Sequence, residues 1–146
     1  MKNIFLMGAY FTTKKEDIDL YPVIAEFIKN NFKNVNITQP IDIENFRENY
    51  IKENPQASIE NINEAMVNYD LDLIRKSDLL IVDLTNKSTG VGIELGVAKE
   101  NNKNLIFFAK KDSKISNMVY GAFSNIPVFF YETLQELKNF LLSIKI

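Results

Sequence analysis

The run Asp78-Leu79-Leu80-Ile81-Val82-Asp83-Leu84 is short, rich in branched apolar side chains and bounded by acids. A segment of this kind is buried on both faces, which requires helices above and below it and therefore a parallel sheet. The residues that follow supply the next parts of such a sheet. Ser88-Thr89-Gly90-Val91-Gly92-Ile93-Glu94-Leu95-Gly96 contains a glycine-rich turn, and Val91, Leu95, Ala98 and Asn102 then recur at helical spacing. Leu105-Ile106-Phe107-Phe108-Ala109 makes a second buried strand. The unit reads strand, glycine turn, helix, strand. In open parallel sheets such turns lie at the carboxyl ends of the strands, where ligands bind, and Gly90 and Gly92 leave the backbone bare to an approaching molecule.

The same alternation extends along the chain. Asn3 to Leu6 begins a strand, Leu20 to Phe32 is an amphipathic helix through Ile24, Phe27, Ile28 and Phe32, and Val35 to Ile37 is a second strand. A helix is expected over Ser58 to Ser77, with Ser58 or Asn61 as cap and Glu64 as capping-box partner of Asn61. Val128 to Tyr131 is the fifth strand, and Thr133 to Ser143 closes with a helix that turns Leu134, Leu137, Phe140 and Leu141 inward. The expected longest irregular stretch is Thr38 to Gln56, punctuated by Pro40 and Pro55, and a stretch of that length beside a ligand site suits a lid. The expectation is one α/β domain over residues 1–146: a doubly wound, five-stranded parallel sheet with helices on both faces, of Rossmann or flavodoxin-like type.

Two acids fall where apolar residues belong. Glu94 lies three residues after Val91 and four before Ala98, on the inward stripe of its helix and close to the helix start. A helix amino terminus favours an ionised carboxylate, typically by ~0.3–1 kcal/mol, and ionised carboxylates attack anomeric carbon in glycosyl transfer. Glu94 is therefore a candidate nucleophile; the structural alternative is that it complements the helix dipole or pairs with a surface lysine. Asp70 lies four after Met66 and four before Ile74, inside the apolar stripe of the preceding helix, which Asp72 does not share. A charge on a buried face is paired, hydrogen-bonded or functional. The alternatives for Asp70 are an ion pair or a place at the helix rim.

Composition removes most other chemistries. The 146 residues include no cysteine and no histidine, so thiol nucleophiles, disulfides, imidazole bases and thiolate or histidine metal sites are excluded. Proton transfer falls to Asp, Glu, Tyr or Lys. A formal net charge of −2 gives no broad attraction to a nucleic-acid polymer. No stretch approaches the ~20 apolar residues of a membrane span, so a cytoplasmic location without membrane attachment is expected. No metal or other cofactor is called for.

The run from Tyr69 to Ala98, with Asp70, Asp78, Ser88, Gly90-Val91-Gly92, Glu94-Leu95-Gly96 and Ala98, resembles the nucleoside 2-deoxyribosyltransferases and the related 2'-deoxynucleoside 5'-phosphate N-hydrolases. Met7-Gly8-Ala9-Tyr10-Phe11-Thr12 looks like the first strand and loop of that family, and Ile115-Ser116-Asn117-Met118-Val119-Tyr120-Gly121 like its late substrate segment. The resemblance implies cleavage of the N-glycosidic bond of a deoxynucleoside or its 5'-monophosphate. Glu94 matches the nucleophile and Asp70 the acid that assists the base. Gly8, Ala9, Tyr10, Phe11, Ser88, Gly90, Gly92, Ser116 and Met118 match substrate-binding positions. The sugar passes to a second free nucleobase or to water. The resemblance also implies a homo-oligomer in which a neighbouring subunit completes the site.

Two branches stay open at this level. Serine at 88 and 116 matches the phosphate-recognising hydrolases, and a hydroxyl can donate to a phosphate that a carboxylate would repel. Ala9 and Phe11 stand where those hydrolases usually carry serine and arginine, and Tyr10-Phe11-Thr12 looks more like a transferase; Lys14 and Lys15 are nearby sources of positive charge. Phe5 stands where the family often has a tyrosine that orients the nucleophile, leaving Tyr10, Tyr69 or Tyr120 as substitutes. A dinucleotide-binding turn is disfavoured, because the spacing is GxGxxxG, it follows a later strand, and Glu94 would oppose a pyrophosphate. A non-catalytic nucleotide-binding or sensor protein on the same fold is the remaining rival.

Overall fold

The computed structural model describes residues 1–11 and 13–146. Thr12, the last residue of the first-loop match, lies outside the described residues. In chain order the elements are β1 (Lys2–Gly8), α1 (Lys15–Ile18), α2 (Leu20–Asn31), β2 (Val35–Thr38), α3 (Pro40–Glu53) and α4 (Ile59–Lys76). They continue with β3 (Leu79–Asp83), α5 (Thr89–Glu100), β4 (Leu105–Lys110), α6 (Asn117–Ala122), β5 (Val128–Tyr131) and α7 (Leu134–Leu142).

The five strands form one parallel sheet in the order β2-β1-β3-β4-β5. Because successive strand residues point to opposite faces, the apolar strands feed two separate cores. Ile4, Leu6, Ile81 and Phe108 pack with Ile24 and Ile28 of α2 and Leu137 and Leu141 of α7. Phe5, Met7, Leu80, Val82 and Phe107 pack with Ile74 of α4 and Val91 and Leu95 of α5 on the other face. This is the expected doubly wound α/β domain. Chain direction across the sheet reverses between β1 and β3, and in such folds the crevice beyond the carboxyl ends of those strands receives the ligand.

The stretch from Thr38 to Gln56 is not irregular, as its two prolines suggested: fourteen of its residues form α3. Pro40 occupies the first helical turn, where its missing N–H costs nothing and its fixed φ suits the helix. The Gln39 N–H donates to Asp42 Oδ2 at 2.9 Å, which satisfies a backbone group at that end. Phe46 then stacks on Tyr69 of α4, with ring centroids 4.1 Å apart and planes 3° from parallel. Tertiary packing of that pair supplies what the weak apolar pattern of α3 does not. Ser58, rather than Asn61, caps α4, its Oγ accepting from the Asn61 N–H at 3.2 Å, so Glu64 has no capping-box role.

The rim at the amino ends of the strands is held by local backbone chemistry. Asn34 and Asn102 adopt left-handed φ values of 58° and 50° in the turns that follow α2 and α5, a conformation that asparagine tolerates better than most residues. Lys103 Nζ donates to the Arg75 and Ser77 carbonyls at the end of α4, and Asp78 Oδ2 accepts from the Asn3 N–H at 2.7 Å.

Candidate active site

Helix α5 begins one turn earlier than the glycine pattern suggested. Ser88 is its cap, accepting from the Val91 N–H at 3.3 Å, so Gly90 and Gly92 belong to the first turn and Glu94 to the second. The dipole effect fades within the first turn, and the environment of Glu94 is set by its neighbours instead. α4 packs against α5 and brings the Asp70 carboxyl group beside that of Glu94. Burial, then the Asp70 carboxylate beside it, pushes the Glu94 carboxyl far above the usual range; burial raises Asp70 as well. Two carboxylates this close do not ionise independently, and burial and like charge both favour a protonated member of the pair. Desolvation and the like charge oppose the ionisation of Glu94 that the helix terminus was expected to favour.

One oxygen of each acid, Asp70 Oδ1 and Glu94 Oε2, is buried without a protein hydrogen-bond partner. Such atoms cost free energy unless something satisfies them. Among the described residues no tyrosine hydroxyl hydrogen-bonds Glu94. Phe5 is fully buried, Tyr69 is stacked on Phe46, and Tyr120 lies 46% exposed on α6.

The other predicted positions fall into two groups, and Gly90 of α5 belongs to neither. Ser88, Gly92, Ser116 and Met118 line one groove of about 510 Å³ between α5 and α6, together with Leu84, Val91, Leu95 and Phe123. Ser116 caps α6, its Oγ accepting from the Met118 N–H at 3.2 Å, and Met118 is 81% exposed. This groove does not include Asp70 or Glu94. Of the α5 residues that line the groove, Gly92 lies about 200° around the helix from Glu94 and Val91 about 60°, so the groove runs along α5 beside the acid pair without including it.

Gly8, Ala9, Tyr10 and Phe11 lie at the end of β1 and beyond it, outside that groove. The missing side chain of Gly8 serves packing, since a Cβ there would stand 2.1 Å from the Tyr21 hydroxyl. That hydroxyl donates to the Ala9 carbonyl at 3.1 Å. Tyr10 meets Phe11 edge-on with centroids 5.6 Å apart, and Phe11 is 64% exposed. A Cβ on Gly90 would meet only Ser88 Oγ, at 3.6 Å, and one on Gly92 nothing within 4 Å, so the protein's own packing does not require either glycine.

A second polar cluster, which no sequence pattern marks, lies at the same edge of the sheet. Asp17 of α1, nearly buried, accepts from Lys110 Nζ at the end of β4 and from Asn86 Nδ2 at 3.1 Å. Burial alone would raise its pKa, but the bonds from Lys110 and Asn86 hold the carboxyl below the usual range. The cluster ties the β1–α2 connection to the β3–α5 loop that carries Ser88. Its three members are 24 to 93 residues apart in sequence, so no local pattern could announce it. Among the described residues no group of three metal-ligating side chains occurs, and no helix is long and apolar enough to cross a membrane.

Comparison with known proteins bears on the identity of this arrangement. A structure of Clostridium botulinum CMP N-glycosidase superposes with a TM-score of 0.63 at 18% identity, covering 96% of this chain and 98% of the other. A 2-deoxyribosyltransferase from Bacillus psychrosaccharolyticus gives 0.65 at 20% identity, with coverage of 98% and 97%. At these identities the likeness is one of fold. No curated protein matches by sequence. The family model described as nucleoside 2-deoxyribosyltransferase matches residues 4–136, a range that spans nearly the whole chain, and the protein belongs to that family.

Proposed function

We propose that this chain breaks the N-glycosidic bond of 2'-deoxynucleosides or their 5'-monophosphates through a deoxyribosyl-Glu94 intermediate. The observation that carries the reading is the contact between Asp70 and Glu94, two half-buried carboxyl groups whose desolvation and like charge favour one shared proton. A pair in that state contains a base and an acid at once, which divides the labour of glycosyl transfer. Substrate binding separates the two carboxyls. Glu94, ionised, attacks C1', and the bond from C1' to the base nitrogen breaks with its electrons on the base. Asp70 delivers the pair's proton to the leaving base. Water or a second base then attacks C1', releasing the Glu94 carboxylate, and Asp70 takes the proton of the incoming nucleophile. Net, one base leaves and one nucleophile enters with no cofactor consumed.

The orphaned oxygens Asp70 Oδ1 and Glu94 Oε2 support the reading, since a nitrogen of the leaving base and a sugar carbon are what they would meet. The groove-lining Ser116 and the exposed Met118 suit contact with a second copy of the chain, and the active form is proposed to be a homo-oligomer whose subunits share sites. The separation of the groove from the acid pair favours one rival, a nucleotide-binding protein without turnover. Incubation with deoxynucleosides and their monophosphates, with and without a free acceptor base, decides between them by chromatography. Base release without acceptor denotes hydrolysis and base exchange denotes transfer. Absence of both, or near-normal turnover in Glu94→Ala, overturns the proposed reaction.

A further inference from the structure

The proposed reaction leaves one buried polar network without a task. Asp83, at the carboxyl end of β3, alternates with Ile81 and so faces α2 and α7, on the side of the sheet away from α4 and α5. Its Oδ1 accepts from the Thr85 N–H at 2.9 Å, and Thr85 Oγ1 accepts from the Lys110 N–H at 3.0 Å. Lys110 Nζ in turn donates to Asp17, which also accepts from Asn86 Nδ2. Both acids are buried. Tyr21, packed in the same core, holds the first loop through the Ala9 carbonyl at 3.1 Å. Three segments therefore meet in one network: the β1–α2 connection, the end of β4 and the β3–α5 loop. Among the described residues, Asn86 is the last of that loop to hydrogen-bond another element before Ser88 caps α5, and only Lys87 stands between them.

A buried ion pair is a poor source of stability, because desolvation offsets most of its attraction, whereas its directed hydrogen bonds fix geometry. What this one fixes is the start of α5. Glu94 stands six residues beyond Ser88, about 9 Å along a stiff helix, so a displacement at the cap carries to its carboxyl. A misplacement of about 1 Å costs a reaction on the order of 10²-fold in rate. We propose that Asp17 is a positioning residue: through Asn86 and Lys110 it holds the β3–α5 loop against the β1–α2 connection and so fixes where Glu94 stands. Asp17 does not line the groove and bonds neither acid of the pair. The proposal rests on the N-glycosidic reading and adds to it a residue that acts from the other face of the sheet.

The test compares base release by wild type, Asp17→Asn, Asn86→Ala, their double variant, Lys110→Arg and the core variant Ile28→Val. Asp17→Asn and Asn86→Ala are each expected to lower kcat about tenfold or more, with KM within about threefold of wild type. The double variant should be no slower than the slower single, because both substitutions break one link. Lys110→Arg keeps a cationic donor, and Ile28→Val loosens the same core away from the link; both should keep kcat within about threefold. Asn86 is a half-buried loop residue, so its variant carries the test even where Asp17→Asn folds poorly. Hydrogen–deuterium exchange reads the anchor without turnover: amides of residues 84–92 should exchange about tenfold faster in Asp17→Asn and Asn86→Ala, and not in Ile28→Val. Full kcat in Asn86→Ala, losses that multiply in the double variant, or a loss carried by KM alone overturns the positioning role. If wild type releases no base, exchange decides: a rise confined to residues 84–92 upholds the anchor while the reaction falls, and unchanged exchange overturns the anchor.

Discussion

At the scale of single residues, the proposed catalytic role of the acid pair sets activity against stability. Replacing Asp70 by Asn removes the proton donor and should lower kcat by about 10²–10⁴-fold, the usual range for general acid catalysis. Glu94→Gln should remove turnover altogether, because an amide does not attack carbon. The same substitution should stabilise the fold. The native Glu94 carboxyl is raised, so above the ordinary carboxylate pKa the folded state binds more protons than the unfolded chain, and stability falls as pH rises from there. Thermal denaturation from about pH 5 to pH 9 should show a shallower alkaline decline for Glu94→Gln than for wild type; parallel curves would mean that the pair holds no extra proton. Gly8→Ala makes a different point. The new Cβ would press on the Tyr21 hydroxyl, so a loss of about 1–3 kcal/mol is expected from overpacking, measurable by urea denaturation. Both acids were legible in the sequence because a charge on an apolar stripe is anomalous. Their joint proton was not, since it depends on the contact between two helices.

At the scale of elements, the strands and the helices α2, α4, α5 and α7 were legible from periodicity, and the exceptions have physical causes. Helix α3 was hidden by Pro40, read as a breaker although it begins the helix, and by a face completed only through Phe46 against Tyr69. The short α1 and α6 hold too few residues, four and six, for a period to emerge. The Asp17–Lys110–Asn86 cluster joins elements that only the fold brings together. Asp17→Asn should cost about 1–3 kcal/mol, the range for a buried group that loses its partner, and the lower end is expected because the Lys110 side chain is 43% exposed. The lowered Asp17 pKa gives the sign of its pH dependence. Its contribution is present above the ordinary aspartate value and disappears as pH falls through the lower folded value. The stability gap between wild type and Asp17→Asn should therefore close in acid, as chemical denaturation at pH 7 and below pH 3 would reveal.

At the scale of the whole molecule, alternating strand and helix patterns were enough for the architecture, because a buried parallel strand admits few arrangements of its neighbours. The proposed assembly was not legible in composition, and it makes a prediction of its own. Sedimentation velocity should give a mass above the 16.8 kDa of one chain, and Met118→Glu, which puts a charge on an exposed apolar position of α6, should shift the protein toward monomer. A wild-type monomer with full turnover would remove the shared-site proposal. The arrangement of the two rims has a practical consequence. Asn34, Asn102 and the Lys103 clasp lie at the amino ends of the strands, roughly a five-residue strand or ~17 Å from the reacting edge. A dye, an affinity tag or a surface tether attached at either asparagine turn would leave the reaction undisturbed, which makes that rim the natural handle for immobilising the protein.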